Sequence, residues 1–319
     1  MSTMDNNKKL LLSVVATCFN DSEIIPLLVK EIEHYVLTIT SDYEIILVND
    51  YSTDNSETVI EKICSENSKV KGVSLARNFG QQIAMSAGIR YAKGEFIVIM
   101  DGDLQNPPSE IPRLYNEILK GFDIVYTVSK NRNNFFDRMT SSFFWYLLTK
   151  LFGVKIVQNQ LMMKIMNHSF VDRYNQYNEI NRTLEGIIVD ISDNYSVLQV
   201  ENQQRVSGKS HYSFFKRTNL MIDMLISLTN VPLNMMLYFG WIIFMVTIVL
   251  SIYNLIQYLY FDVPPGFTSI ILSIFLFGSL IILLLGFIGR YLSNIYNEVR
   301  RRPLFHIKAT YNIDMPKNN

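Results

Sequence analysis

Along the first 130 residues, short apolar runs alternate with longer stretches in which apolar positions recur every three or four residues. The runs Leu11 to Cys18, Glu44 to Val48, Val70 to Leu75, Phe96 to Met100 and Ile124 to Val128 are rich in Val and Ile and bounded by polar residues. They predict strands. Between them, Ile24 to Thr38, Ser56 to Ser65, Gln81 to Ala92 and Ser109 to Leu119 predict helices. This alternation implies an α/β fold with a mostly parallel sheet covered by helices, and such sheets bind ligands at the carboxyl ends of their strands.

The pattern then changes. Phe135 to Phe152 and Ser213 to Thr229 carry aromatic, Leu and Met faces that suit a bilayer interface, although a packed core helix shows the same faces. Met235 to Tyr260 and Ser269 to Ile288 are each long enough to cross a hydrocarbon core of about 30 Å, and the Pro-Gly turn Phe261 to Phe267 joins them. They predict two transmembrane helices; a pair of buried core helices is the alternative. That turn has no Lys or Arg, whereas Lys216, Arg217, Arg290, Arg300, Arg301 and Arg302 flank the other side, so the globular part and both termini are expected in the cytoplasm. The expected domains are 1–212, catalytic and including the interface helix near 135–152; 213–230, a second interface helix; 231–293, a transmembrane hairpin; and 294–319, a cytoplasmic tail.

Composition agrees with this division. The 319 residues are 18% charged, below the roughly 25% of soluble chains, yet only Asp262 is charged between Met224 and Gly289. The deficit is local: one membrane part and one ordinary globular part. The balance of 29 basic and 29 acidic side chains argues against a nucleic-acid partner. Cys18 and Cys64 have no metal-ligand spacing and read as buried free thiols. Lys8 and Lys9 before Leu10 to Phe19 resemble a short signal sequence, but the run continues directly into the strand and helix alternation.

Polar residues collect where the predicted strands end: Asn49-Asp50-Tyr51-Ser52-Thr53-Asp54 after the second, and Asp101-Gly102-Asp103-Leu104-Gln105 after the fourth. Two carboxylates one residue apart, on a turn where Gly102 is expected to take an unusual backbone angle, can aim hard oxygen ligands at Mg²⁺ or Mn²⁺. Asp-Gly-Asp alone is equally an ordinary turn.

The ordered set "SVVATCFND", "EIILVNDYSTDNS" and "VSLARNFGQQIAMSAGIRYAKGEFIVIMDGDLQNPP" resembles the family 2 glycosyltransferases, with a nucleotide-sugar-binding domain of GT-A type. "RNFGQQ" followed by "DGDLQNPP" resembles the branch that makes polyprenyl-phosphate sugars. The resemblance continues through "RVSGKSHYSFFKR" to "GRYLSNIYNEVRRRPLF" and so covers nearly the whole chain. It implies that Asp50 holds the base or ribose, with Asn20, Ser52 and Arg77 beside the nucleotide sugar, and that Asp101, Asp103 and Gln105 surround the metal and diphosphate. It implies further that Arg132, Arg138, Ser142, Arg205 and Ser210 receive the lipid phosphate, with Arg138 and Arg205 also serving catalysis; a solvated surface charge or a lipid-headgroup contact is the lesser alternative for each arginine alone. Expected partners are a nucleotide-sugar donor, a polyprenyl-phosphate acceptor, the bilayer and further copies of the chain. UDP, undecaprenyl phosphate and the bacterial plasma membrane are expected on resemblance.

A lipid monophosphate has a second pKa of about 6, so it is already largely a dianionic nucleophile, and no catalytic base is needed. In-line attack would then invert the anomeric centre. His34, His168, His211 and His306 form no ligand pattern, and His211 stands where relatives commonly carry a lysine.

The chain departs from the family at Asn49 and Tyr51, which replace an acid and a glycine. Met162 and Lys164 stand near an expected carboxylate and arginine, close to the sugar or acceptor pocket. These departures keep a second reading in view, a scaffold that binds donor or carrier without turnover. A processive polysaccharide synthase is disfavoured, because there is no Arg-Trp pair and the membrane helices are few.

Overall fold

The computed structural model describes residues 10–129, 160–177, 184–200, 266–300 and 302–313, with isolated positions elsewhere. They fall into two compact units, one taking the stretches up to residue 211 and again from 303, the other most of the stretch between.

The first unit is built on β1 (Leu12–Cys18), α1 (Ile25–Val36), β2 (Tyr43–Asn49), α2 (Ser56–Glu66), β3 (Val70–Leu75), α3 (Gln81–Tyr91) and β4 (Phe96–Asp101). A short 3₁₀ turn, Pro108–Glu110, then leads into α4 (Ile111–Ile118) and β5 (Ile124–Ser129). These elements match the strands and helices expected from the apolar pattern to within a residue or two. Three strands and two helices were not foreseen: β6 (Gln160–Asn167), α5 (His168–Tyr174), α6 (Leu184–Ile191), β7 (Tyr195–Val200) and β8 (Ile307–Tyr311).

The eight strands among the described residues form one sheet in the order β7-β5-β6-β4-β1-β2-β3-β8. The pairs β1–β2, β2–β3, β1–β4 and β5–β7 are parallel, whereas β6 runs antiparallel to β4 and β5, and β8 antiparallel to β3. The expected C-terminal tail thus supplies an edge strand. Asn312, in the left-handed region at φ 56°, closes it by donating its side-chain amide to the carbonyls of Cys64, Asn67 and Val70.

Every residue of β1 and β2 is buried, as expected for strands covered on both faces. Their alternation splits the core in two. Leu12, Val14, Ala16, Ile45 and Leu47 pack with Leu28, Ile32, Ile60 and Leu114 of α1, α2 and α4. Val15, Ile46 and Val48 pack with Ala84, Met85, Phe170 and Ile187 of α3, α5 and α6. Cys18 and Cys64 lie in the first cluster as free thiols, and burial pushes Cys64 up to about 12.

The chain lays down β1, β2 and β3 in one direction, and α3 then carries it back past β1 to β4. The order reverses between β1 and β4, so a crevice opens beyond their carboxyl ends. Helix α3 makes this crossing at close range: a Cβ on Gly88 would lie 2.3 Å from Val15 Cγ1 and 2.7 Å from Val48 Cγ2.

In the second unit, α7 (Phe267–Val299) is a continuous helix of 33 residues. Ile270, Ile274, Ile281, Leu285 and Leu292 on it are exposed. Among the described residues no helix is long and apolar enough to cross a membrane. The expected span 235–260 and both interface helices lie mainly outside those residues.

Because the space under Gly88 is already filled, Gly88→Ala should force α3 off the sheet and cost about 1–3 kcal/mol. Thermal denaturation should show a melting temperature lower by several degrees; an unchanged value would contradict the close packing.

Candidate active site at the carboxyl ends of the strands

Three loops converge beyond β1, β2 and β4. The first two are tied side chain to backbone. Asn20, at φ 58°, donates its backbone N–H to Ser52 Oγ at 3.0 Å and accepts the Thr53 backbone amide at 2.8 Å on Oδ1. Asn49 is buried, and its Oδ1 receives the Ser52 amide at 3.0 Å. Asn49, at a position where an acid was expected, thus accepts a turn N–H through its side-chain oxygen.

Tyr51 follows at φ 61° and is 47% exposed. The glycine expected there answers this left-handed backbone, which a Cβ makes unfavourable. Asp54 turns back to accept the Ser56 hydroxyl at 2.6 Å, the Ser56 amide at 3.0 Å and the Ser22 amide at 3.0 Å. Partial burial opposes its charge, but these bonds prevail and hold Asp54 down to about 2.

Asp50 is 4% exposed, and its two oxygens accept the amides of Phe79 at 2.8 Å and Gly80 at 2.9 Å. Its own carbonyl receives the Asn78 side-chain amide at 3.2 Å. Burial raises its pKa, and the two amide bonds oppose that rise without cancelling it. The carboxylate expected at the base or ribose is therefore already engaged in fixing the loop 77–80. In that loop the Arg77 guanidinium lies over the Phe79 ring at 4.6 Å, and Gly80, at φ 89°, starts α3.

The next two residues reach outward. Gln81 donates its amide to Asp101 Oδ1, and Gln82 Oε1 accepts the Leu184 amide at 2.9 Å. The start of α3 thereby holds both the end of β4 and the start of α6. Neither glutamine was assigned a role from sequence, although both stand in the "RNFGQQ" run.

Beyond Asp101 the chain turns tightly. Gly102 does not carry the unusual angle expected of it; the positive φ, 59°, belongs to Leu104. Glycine is needed for space instead. Its amide donates to the Thr17 carbonyl at 2.9 Å, and a Cβ there would lie 2.6 Å from that same oxygen. Asp103 receives the Gln105 backbone amide at 3.0 Å and side-chain amide at 2.8 Å, so Asp101, Asp103 and Gln105 form one turn. Asn106 is 3% exposed, and its Oδ1 has no hydrogen-bond partner among the described residues, leaving a buried acceptor open to a donor from water or ligand.

Among the described residues no three His, Cys, Asp or Glu side chains cluster as a metal cage. The two carboxylates and one side-chain amide nevertheless fit a hard cation such as Mg²⁺, which takes few protein ligands and completes its shell with water and phosphate.

This mostly parallel sheet, with a carboxylate pair at its switch point, is matched by a known sequence family. Residues 13–178 fit the family described as glycosyl transferase family 2. The chain belongs to the family 2 glycosyltransferases.

Its relatives in this family include the undecaprenyl-phosphate 4-deoxy-4-formamido-L-arabinose transferase of Proteus mirabilis, 31% identical over 324 residues, covering 100% of this chain and 99% of the relative. The transferase of the same name from Photorhabdus laumondii is 31% identical over 312 residues, covering 96% of each chain. The resemblance to the polyprenyl-phosphate branch is thus borne out. Among solved structures, glucosyl-3-phosphoglycerate synthase of Mycobacterium tuberculosis with phosphoglyceric acid matches with a TM-score of 0.50 at 18% identity, over 71% of this chain and 82% of that one. This likeness supports the GT-A fold.

The structure thus brings Asn20, Asp50, Ser52, Arg77, Asp101, Asp103 and Gln105 to one end of the sheet. Arg132, Arg138, Ser142, Arg205 and Ser210 lie outside the described residues. Met162 and Lys164 stand on β6, where Lys164 is paired with Ile99 of β4.

Two measurements check the loop geometry. Tyr51→Gly should stabilise the protein by about 1 kcal/mol through relief of the left-handed backbone, read as a higher denaturation midpoint. A depressed carboxylate contributes stability above its unfolded pKa, which is lost as pH falls toward its folded value. Asp54 should therefore give up about 1 kcal/mol, after allowance for solvent screening, between pH 4 and pH 2. Asp54→Asn should remove that part of the acid dependence, and an unaltered profile would contradict the assignment.

Proposed function

We propose that this glycosyltransferase moves one sugar from a nucleotide donor, UDP-linked, to undecaprenyl phosphate at the bacterial plasma membrane, inverting the anomeric centre. The observation that carries the reading is the Asp101-Gly102-Asp103 turn, braced by Gln81 and Gln105 at the switch point, in a chain whose relatives include undecaprenyl-phosphate transferases matched over nearly their whole length.

Asp50 holds the 77–80 loop, and with it Arg77, at the nucleotide end of the crevice. Asn20 and Ser52 lock the facing loop. Asp101 and Asp103, with Gln105 beside them, would hold Mg²⁺ or Mn²⁺, which when bound neutralises charge growing on the leaving diphosphate. The acceptor phosphate is largely dianionic at neutral pH, so the protein's task is to align its oxygen behind the anomeric carbon and exclude water. We assign its capture to Arg132, Arg138, Ser142, Arg205 and Ser210.

A lipid acceptor requires a catalytic unit held at the bilayer. The sequence supports membrane anchoring: 235–260 and 269–288 are long apolar runs without a charged side chain. Water disfavours such runs and lipid does not. The distribution of Lys and Arg supports a cytoplasmic position for the catalytic unit.

The test is transfer of radiolabel from nucleotide sugars to undecaprenyl phosphate in membranes supplied with Mg²⁺, read as organic-extractable counts. The relatives' sugar, 4-deoxy-4-formamido-L-arabinose, is the first donor sugar to try. Asp103→Ala should lower turnover at least ~10³-fold with the melting temperature unchanged. A fully active variant would remove Asp103 from the site, and no lipid-linked label from any donor with the wild type would favour a binding scaffold instead.

A further inference from the structure

Lys164 is among the largest fully buried side chains of the described residues, with 0% side-chain exposure, and no step described above uses it. Its Nζ lies 3.3 Å from Glu185 Oε1, 3.4 Å from Gln160 Oε1 and 5.7 Å from the centre of the Tyr126 ring. Both hydrogen bonds are long, and a buried ion pair of this kind is commonly no more stabilising than apolar residues of the same volume. Stability alone does not call for a lysine here.

Its position suggests a different reason. Lys164 pairs with Ile99 of β4, and continuing that antiparallel register places Met162 opposite Asp101. Paired residues share a face, and alternate residues along a strand share it too. Lys164 therefore stands on the same face of the sheet as Asp101, one pleat below it. Glu185 lies in the first turn of α6, whose start is fixed by the Leu184 amide on Gln82, while the adjacent Gln81 binds Asp101. The Glu185 carboxylate is thus connected through two neighbouring glutamines to the diphosphate end of the crevice. Its partner is sealed, yet Glu185 itself keeps 17% of its side chain exposed.

We propose that Glu185 accepts a hydrogen bond from a hydroxyl of the donor's sugar ring and that Lys164 is the residue that positions it. One Glu185 oxygen rests on Lys164, which fixes the carboxylate plane and leaves acceptor capacity toward the crevice. This assignment deepens the nucleotide-sugar reading and rests on it.

Binding separates the two. The full chain in detergent with Mn²⁺ is titrated calorimetrically with UDP, GDP, UDP-glucose, UDP-N-acetylglucosamine and a UDP-linked 4-deoxy-4-formamido-L-arabinose. For each sugar, its affinity is divided by that of UDP. In Glu185→Ala and Lys164→Met the ratio for the preferred sugar should fall ~10-fold or more, with UDP affinity within about twofold of wild type. Glu185→Gln, which keeps an acceptor but loses the ion pair, should fall less. Lys164→Met should melt no lower than wild type, an outcome that a purely structural lysine would not give; should it fail to fold, Glu185→Gln and Glu185→Ala still decide. Ratios unchanged by substitution for every sugar, including ratios near one in the wild type, would overturn the assignment. A wild type that binds no nucleotide would overturn the underlying reading instead.

Discussion

The carboxylate of Asp50, buried beyond the end of β2, takes the amides of Phe79 and Gly80 on its two oxygens. Burying an anion is costly, and here two backbone dipoles offset part of that cost, so the pKa is raised by desolvation but the group stays hydrogen-bonded. The rest of the crevice depends on this tie. It sets where α3 begins, and α3 is the element whose first two side chains reach Asp101 and the start of α6. It also aligns α3 for the close crossing at Gly88, where even one methyl group would collide with Val15 and Val48.

The chemistry inherits that rigidity. Asp101 and Asp103 lie on a turn that leaves no room for a Cβ at Gly102 against the Thr17 carbonyl, so the two carboxylates are held by the meeting of β1 and β4. Gln81 braces one and Gln105 the other. For transfer to a phosphate that needs no activation, such preorganisation is the main contribution a protein can make.

Much of the fold was legible because β1 to β5 are buried on both faces and their Val and Ile runs stand out from the amphipathic helices between them. β6 was missed for a physical reason. Its sequence, Gln160 to Asn167, is rich in Met and carries a lysine at its centre, and nothing local indicates that Lys164 will be buried against Glu185 and Tyr126. β7 is an edge strand with mixed exposure, and β8 follows α7, so neither shows the apolar run of a central strand. The acidic turn at Asp101 and Asp103 was recognised from spacing and resemblance, but the role of its glycine was not. Space at Gly102 is set by the neighbouring β1, whereas the left-handed angle went to Leu104.

The amino-acid sequence by itself determined the strand and helix alternation, the uncharged stretch and the family, because periodicity, charge density and motif order are properties of the chain read locally. The tertiary structure alone decided that Asp50 serves a loop 29 residues away and that Lys164 and Glu185 meet. Those pairings join residues distant in sequence. They follow from strand order and register, which the sheet settles only when all its strands pack together.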